Sequence, residues 1–300
     1  MDSSPFKAGI LSGMVAVITG GGSGIGFEIS TQLGLHGASI AVMGRRKSVL
    51  DSAVISLQES GIHAIGIEGD VRKNEDAASV LQITFEKFGR IDVLVNSAAG
   101  NFLASPEDLS PNAFKTVMDI DTLGTYTMSH AALNYLKKGG LGKQGNGGGL
   151  ILNISATLHY TATWYQLHVS SAKAAIDSMT RSLALEWGAD YDIRVNGIAP
   201  GPIAGTTGMS KLAPDEMIGT RLRKETQPLF KIGEKWDIAM AAVYLASNAG
   251  KFVNGMIMIV DGGLWLSSPR FIAKEDVKLL SRAVENRSRT APVGVPRSKI

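Results

Sequence analysis

The chain has 300 residues, 44% of them hydrophobic, which is enough to bury a large core in one α/β domain with an additional lobe. The formal net charge is +3, and the basic residues are scattered except near the C-terminus, so no nucleic-acid groove is indicated. Cysteine is absent, which excludes disulfides, thiolate metal sites and cysteine nucleophiles. No apolar run approaches the roughly 18 residues that cross a bilayer, and residues 1–13 lack the features of a signal peptide. We therefore expect a soluble intracellular protein with no bound metal, no nucleic-acid partner and no membrane span.

Strands and helices alternate along the first half of the chain. A strand that begins at Val15 runs into a glycine-rich turn, and a helix over residues 27–35 follows. The alternation continues through a strand at 38–43, a helix at 47–60, a strand at 64–67, a helix at 74–88 and a strand at 91–95. Because these strands are almost continuously apolar and alternate with helices, they indicate a parallel sheet that is covered on both faces.

The second half keeps this alternation and adds one irregular segment. Its predicted elements are a helix at 111–137, a strand at 150–154, a helix at 163–187, a strand at 193–198, a helix at 235–247 and a strand at 256–260. Proline, glycine and threonine interrupt the pattern at about 201–233, which we interpret as a small substrate-binding lobe. The sequence thus predicts an α/β fold, a doubly wound parallel sheet of the Rossmann type with helices on both faces. We expect an N-terminal extension at 1–11, a single domain at 12–266 and a C-terminal tail at 267–300.

The glycine-rich turn after the first strand has the spacing Thr-Gly-x-x-x-Gly-x-Gly, over residues 19–26. Glycines let a backbone turn sharply and approach a ligand closely, and the free N–H groups of a helix start attract a phosphate. The turn therefore predicts a dinucleotide site with the pyrophosphate at the helix N-terminus, and a plain structural turn is the alternative. Its predicted cofactor-binding residues are Gly20, Gly22, Ser23, Gly24 and Ile25.

The residues after the second and third strands indicate which dinucleotide binds. Arg45 and Arg46 follow the second strand, where an acidic residue would accept hydrogen bonds from an adenosine ribose. Two guanidinium groups instead favour a 2′-phosphate, which arginine binds through paired hydrogen bonds, so we predict NADPH rather than NADH. An ordinary exposed basic turn is the alternative interpretation. Asp70, after the third strand, is expected to meet the adenine.

Over about residues 12–265 the chain resembles the short-chain dehydrogenase/reductase family. The residues that carry the resemblance are 19–26, Asp70, Val71, 96–100, Lys173, 194–196, Pro200 and Gly201. The resemblance implies that Lys173 binds the nicotinamide ribose and that Pro200, Gly201 and Ile203 also belong to the cofactor site. The family normally converts carbonyl and alcohol groups with an asparagine, a serine, a tyrosine and a lysine.

This chain departs from that pattern at three of the four positions. Val169 stands four residues before Lys173, where the family has its tyrosine. Ala156 stands where the serine is expected, and Asp121 stands where the asparagine is expected. Ordinary alcohol dehydrogenation needs a phenol as its acid or base, and position 169 has none. The chain is therefore expected either to have lost catalysis or to perform a different reduction.

The substitutions resemble those of one branch of the family, the peroxisomal 2,4-dienoyl-CoA reductases. The supporting residues are 98–103, 112–121, 155–158, His168, 171–175 and 200–203. The resemblance implies that hydride adds to C5 of a 2,4-dienoyl thioester. The site then stabilises the dienolate oxygen, and protonation of carbon gives the trans-3-enoyl product. It marks Asp121 as catalytic, acting directly or through an acidic water, and Lys173 as a positive charge near the reaction. A solvated helix carboxylate beside Asp119 is the alternative interpretation of Asp121.

The branch resemblance also implies contacts with an acyl-CoA substrate. Coenzyme A and its acyl chain require cationic groups and an apolar slot. The residues that match substrate-contacting positions are Arg72, Asn101, Phe102, Leu103 and the basic Lys211. Apolar residues of the lobe either line an acyl channel or form a packing face. His168 is left outside the site.

The last three residues, Ser298, Lys299 and Ile300, resemble the Ser-Lys-Leu peroxisomal address. They predict a peroxisomal location and binding of the import receptor, and the family resemblance implies a homotetramer.

The sequence leaves two rival functions open. One is a 3-oxoacyl or hydroxysteroid reductase that has recruited another acid, such as Tyr165. The other is an NADPH-binding regulatory or scaffold protein.

Overall fold

The computed structural model describes residues 4–142, 147–206 and 227–267. Its strands are β1 (Val15–Thr19), β2 (Ser39–Gly44), β3 (Ala64–Glu68), β4 (Val93–Asn96), β5 (Leu150–Ile154), β6 (Arg194–Pro200) and β7 (Ile257–Val260). Its α-helices are α1 (Gly24–Leu35), α2 (Lys47–Glu59), α3 (Asn74–Phe88), α4 (Pro111–Val117), α5 (Gly124–Leu136), α6 (Leu167–Tyr191) and α7 (Lys235–Ala246). A π-helical segment, Met118–Leu123, joins α4 to α5, and 3₁₀ turns lie at Asn248–Gly250 and Leu264–Leu266. No helix among these residues is both long and apolar enough to cross a membrane.

The strands of the described residues form one parallel sheet in the order β3-β2-β1-β4-β5-β6-β7. β1 lies inside the sheet, where Val17 pairs with Ala41 of β2 on one side and with Leu94 of β4 on the other. The chain order of the strands reverses at β1, and ligands of such sheets bind at this point, beyond the carboxyl ends of the strands. The predicted doubly wound parallel sheet is confirmed.

Apolar side chains alternate between the two faces of the sheet, as strand geometry requires. Ile18 of β1 belongs to a buried cluster with residues of α1, α2 and α7, and α1 packs against α7. Its neighbour Val17 belongs to the opposite cluster, which contains residues of α3, α5 and α6. Helices therefore cover both faces of the sheet, as predicted.

Two helices differ from the sequence prediction beside the carboxyl ends of the strands. The helix predicted over 111–137 is not continuous, because the π-helical segment Met118–Leu123 interrupts it. The helix predicted from residue 163 begins only at Leu167, because Tyr165 has a left-handed φ of 61° that no α-helix accommodates. Both departures come from tertiary contacts of the site described below, which the local pattern of apolar residues does not contain.

The segments at 1–11 and 201–233 are described only in part. Leu11 is buried, and its backbone N–H donates to the His36 carbonyl (2.8 Å), so this part of the N-terminal extension contacts the domain. A short parallel bridge pairs Ile203 with Gly233 and joins the two ends of the predicted lobe. Residues 207–226, which include the apolar segment of the lobe, and residues 268–300 lie outside the described residues.

A buried polar bridge connects the middle strands to the helices of one face. The Nδ2 group of Asn96, in β4, donates to Asn153 Oδ1 of β5 (2.9 Å) and lies 3.1 Å from Ser129 Oγ of α5. Asn153 Nδ2 in turn donates to Thr180 Oγ1 of α6 (2.9 Å). All four side chains are almost fully buried, so each bond replaces a contact with water that folding has removed.

We predict that Asn153→Ala lowers the free energy of unfolding by about 1–3 kcal/mol, because it leaves the buried Asn96 amide without this partner. Urea denaturation measures the change. Asn134→Ala is the matched control, since the Asn134 side chain is exposed and accepts a hydrogen bond from Lys137 at the surface, and it should stay within about 0.5 kcal/mol. Equal losses in the two variants would contradict a stabilising role for the bridge.

Candidate active site

The glycine turn between β1 and α1 leaves no room for a side chain at Gly20 or Gly26. Gly20 has a left-handed φ of 65°, and a Cβ atom there would lie 3.1 Å from the Ala98 backbone. A Cβ atom at Gly26 would lie 2.6 Å from the Gly20 carbonyl oxygen. Ser23, which precedes the first residue of α1, is exposed, so the amides of the first helical turn are accessible at the carboxyl edge of the sheet. The turn therefore fits a pyrophosphate group.

Basic residues lie where β2 and β3 end. Arg45 and Arg46 are exposed after β2, and Arg46 precedes the first residue of α2. Beyond β3, Arg72 Nε donates to Asp70 Oδ1 (2.9 Å), and this hydrogen bond holds the pKa of the Asp70 carboxyl below its usual range. The sequence assigned Asp70 to the cofactor and Arg72 to the substrate, whereas the structure joins the two side chains in one ion pair.

Asp121 is a fully buried carboxylate in the π-helical segment. Its Oδ1 accepts a hydrogen bond from the Gly100 backbone N–H (2.7 Å), in the loop after β4. Its Oδ2 lies 3.1 Å from Lys173 Nζ. The alternative of a solvated carboxylate is therefore wrong for Asp121, and it is Asp119 that forms a surface pair, with Lys115 (2.6 Å).

Lys173 connects α6 to the end of β5. Its side chain is 8% exposed, and Nζ donates to the Ile154 carbonyl oxygen (2.9 Å) in addition to the Asp121 pair. An ammonium in such a place stabilises its carboxylate partner and any negative charge that develops nearby. The structure thus brings together the two residues predicted to be catalytic.

The position expected for a catalytic tyrosine is filled by apolar side chains. Val169 is 3% exposed, one turn before Lys173 on α6. Its buried cluster also contains Val117, Ala172, Phe102, Met118 and Leu158. Position 169 therefore offers no phenol, and apolar side chains pack around it.

Two nearby tyrosines are poorly suited to replace the missing acid. Tyr160 donates its hydroxyl to Asp177 Oδ2 (3.2 Å), and burial, with the Asp177 charge, raises the pKa of that phenol far above its usual value. Tyr165 is 54% exposed and lies in the strained turn before α6. Within the part of the chain that the structure describes, neither hydroxyl is hydrogen-bonded to Lys173 or Asp121.

The predicted substrate turn after β4 is joined to the loop after β5. The imidazole of His168 is buried, and its Nε2 donates to the Phe102 carbonyl (3.1 Å). The His168 and Phe102 rings stack with centroids 4.2 Å apart, and the Ala104 N–H donates to the Tyr165 carbonyl (3.2 Å). Burial lowers the pKa of His168, which favours the neutral ring. The sequence analysis used His168 only for the family resemblance and left it outside the site, because its contact with the turn after β4 leaves no local signal in the sequence.

The remaining predicted residues lie around these loops. Asn101 and Phe102 are half-buried and Leu103 is exposed, so this turn presents an accessible surface. Pro200 ends β6, Ile203 is buried in the following segment, and a Cβ atom at Gly201 would lie 2.5 Å from Asp261 Cβ. Lys211 lies outside the described residues. Among the residues that the structure describes, no cluster of acidic and histidine side chains has the arrangement of a metal site.

Curated relatives match almost the whole chain. A peroxisomal 2,4-dienoyl-CoA reductase [(3E)-enoyl-CoA-producing] of Arabidopsis thaliana is 67% identical over 298 residues, which cover 99% of this chain and 99% of that protein. A protein with the same name from Danio rerio is 42% identical over 284 residues, covering 94% of this chain and 90% of that protein.

A family model and a solved structure agree with these relatives. The model described as enoyl-(acyl carrier protein) reductase matches residues 20–265. The crystal structure of a short chain dehydrogenase from Bacillus anthracis str. 'Ames Ancestor' has a TM-score of 0.75 and 34% identity, and the match covers 87% of this chain and 100% of that one. Since the match extends from the glycine turn to the end of the described sheet, the chain belongs to the short-chain dehydrogenase/reductase family.

Proposed function

We propose that this protein is a peroxisomal NADPH-dependent 2,4-dienoyl-CoA reductase, which forms a (3E)-enoyl-CoA as an auxiliary step in the β-oxidation of unsaturated fatty acids. The observation that carries the proposal is the buried Asp121–Lys173 pair beside an apolar position 169. The site offers a carboxylate and an ammonium but no phenol. The relatives named for this reaction match the chain along nearly its whole length.

The residues present fit the reduction of a conjugated thioester. Bound NADPH supplies the hydride, which adds to C5 of the substrate, and the electron pair moves through the chain to the thioester oxygen. Lys173 provides positive charge near the resulting dienolate, which such charge stabilises. Proton delivery to C2 then leaves the double bond between C3 and C4. That proton comes from solvent, and Asp121 is the group that we assign to relaying it, either by first taking it up or through a bound water.

Ketone reduction, the rival function, requires an acid that this site lacks at position 169. An alkoxide that forms from a carbonyl needs a proton from an acid such as a phenol. Val169 has no proton to give, and the Tyr160 hydroxyl is committed to Asp177 with a strongly raised pKa. The remaining candidate is Tyr165, which is exposed. We therefore propose that ketones are poor substrates.

For the cofactor, we propose that Gly20, Gly22, Ser23, Gly24 and Ile25 bind the pyrophosphate and that Arg45 and Arg46 bind the 2′-phosphate. The tight glycine turn and the exposure of both arginines support this assignment. Asp70 would lie near the adenine. Lys173, Pro200, Gly201 and Ile203 would surround the nicotinamide half.

For the substrate, we propose that the acyl-CoA thioester lies against Asn101, Phe102 and Leu103, the accessible turn that His168 fixes. Arg72 and Lys211 are the cations that we assign to the phosphates of coenzyme A. The Asp70 carboxylate orients the Arg72 guanidinium, so less side-chain ordering is needed when Arg72 binds a phosphate.

We also propose a homotetramer. The support for it is the family resemblance and the exposed apolar side chains of Leu123, Tyr126 and Leu185.

We predict that Asp121→Asn slows NADPH oxidation with a 2,4-dienoyl-CoA by about 10²–10⁴-fold, the usual contribution of a positioned acid or base. Asparagine still accepts the Gly100 N–H bond, so the loop after β4 keeps its anchor, and NADPH should still bind. Steady-state assays with 2,4-dienoyl-CoA and 3-oxoacyl-CoA measure the change.

Two controls accompany the Asp121 variant. Asp119→Asn removes a surface carboxylate of the same segment, and Tyr165→Phe removes the exposed phenol, and both should keep nearly full activity. An inactive Tyr165→Phe beside a fully active Asp121→Asn would overturn the catalytic assignment in favour of carbonyl chemistry.

The second prediction concerns the choice of cofactor. Replacing both Arg45 and Arg46 by alanine should reduce the preference for NADPH over NADH by about 10- to 100-fold, since a hydrogen bond to a charged group contributes about 1.5–3 kcal/mol. Fluorescence titration with each cofactor gives the two dissociation constants. Lys47→Ala, at the exposed residue next to them that pairs with Asp51, is the control and should leave the preference unchanged. If the unmodified protein binds NADH as tightly as NADPH, the assignment fails.

The third prediction concerns the import signal. A fluorescent protein that carries the last ten residues of this chain should accumulate in peroxisomes, because the tripeptide Ser298, Lys299 and Ile300 is proposed to bind the import receptor. Deleting only these three residues should leave the reporter in the cytosol. A punctate pattern after the deletion would place the signal elsewhere.

A further inference from the structure

Asp177 receives three hydrogen bonds from the segment that follows β5. Its Oδ1 accepts from Ser155 Oγ (2.5 Å), and its Oδ2 accepts from His159 Nε2 (2.7 Å) and from the Tyr160 hydroxyl (3.2 Å). The carboxylate itself is 2% exposed. The reaction proposed above gives these four side chains no part.

The position of Asp177 relative to Lys173 suggests what the cluster does. Both residues lie on α6, four positions apart, so their side chains extend from one face of the helix. Lys173 bonds the carbonyl of Ile154, and Asp177 bonds the hydroxyl of the next residue, Ser155. Two consecutive residues at the end of β5 are thus attached to two consecutive turns of α6.

We propose that Asp177 is a positioning residue that fixes the end of β5 and thereby the place of the Lys173 ammonium. Lys173 donates to the Ile154 carbonyl, and the next residue, Ser155, is the one that Asp177 holds. A shift of Ser155 would therefore move the hydrogen-bond acceptor of Lys173. Tyr160 also connects the cluster to the segment after β7, because its ring meets the Trp265 ring edge-on, with centroids 5.8 Å apart. The inference rests on the proposed function only in assigning Lys173 to the nicotinamide ribose and to the reaction.

A carboxylate suits this task better than any neutral side chain of the same shape. Its two oxygens accept from all three donors at once. An asparagine keeps the shape but removes the negative charge, so the three charge-assisted hydrogen bonds become neutral and weaker ones, and the donors facing its NH2 group must turn to accept. Asp177→Asn is therefore an isosteric change that loosens the anchor without creating a cavity.

The test is a double-mutant cycle between Asp177→Asn and Lys173→Ala, with the dissociation constant of NADPH as the first readout and kcat as the second. In the unmodified protein, Asp177→Asn should raise the dissociation constant about 10-fold and lower kcat about 10- to 100-fold, as expected for a misplaced catalytic group. In the Lys173→Ala protein, the same change should move the dissociation constant less than about 2-fold, because the group that it positions is gone.

A second carboxylate separates positioning from a loss of stability. Asp92 is also buried and accepts hydrogen bonds from Arg90 Nε and the Val15 N–H (both 2.9 Å), but it precedes β4, at the opposite edge of the sheet. Asp92→Asn should lower the melting temperature and leave the NADPH affinity and kcat of the folded protein unchanged. Ser155→Ala, which removes one donor only, serves if Asp177→Asn does not fold, and should shift affinity in the same direction by a smaller factor.

Equal fold-changes in both Lys173 backgrounds would overturn the proposal, and so would effects no larger than those of Asp92→Asn. The affinity readout needs no turnover. If the unmodified protein binds NADPH and reduces no 2,4-dienoyl-CoA, the proposed function fails while the cycle still decides the role of Asp177.

Discussion

The burial of one ion pair, Asp121 with Lys173, is the constraint on which the rest of the site depends. Removing two charges from water is costly, and the cost is offset only when the charges meet and further hydrogen bonds complete their coordination. The Gly100 N–H and the Ile154 carbonyl supply one such bond to each charge, from the ends of β4 and β5. The other Asp121 oxygen, Oδ2, has no hydrogen-bond partner among the described residues and faces the Lys173 ammonium at 3.1 Å. The pair therefore fixes two strand ends, the π-helical segment and α6 in a single arrangement.

The helix α6 gives this arrangement its rigidity, because its successive turns contact different parts of the site. His168 attaches the turn after β4, Val169 closes the apolar cluster, and Lys173 binds the end of β5. Since a helix has a fixed rise and rotation per residue, these groups keep constant distances from one another. The geometry of the site thus derives from a regular element rather than from the loops that it joins.

The sequence predicted the parallel sheet because alternating apolar strands and helices are a local signal. It also predicted that the binding residues follow the carboxyl ends of the strands. It further predicted catalytic roles for Asp121 and Lys173, because each stands at a position where the family has a functional residue, and the structure pairs the two side chains. The burial of Asp121 could not be predicted, because its partners Gly100 and Lys173 are distant in the sequence. The contact of His168 could not be predicted for the same reason, since its acceptor Phe102 lies 66 residues away. The π-helical segment could not be predicted because its residues have an ordinary helical pattern.

The apolar cluster around Val169 has a consequence for the evolution of this branch of the family. A valine beside a void would accept a tyrosine without displacing its neighbours, although Asp121 and Ala156 would still replace the asparagine and serine of the family. Here Phe102 and Leu158 occupy the surrounding volume, so a tyrosine ring would overpack a filled core, which typically costs about 1–3 kcal/mol. A tyrosine at position 169 therefore requires smaller side chains around it, as well as changes at Asp121 and Ala156.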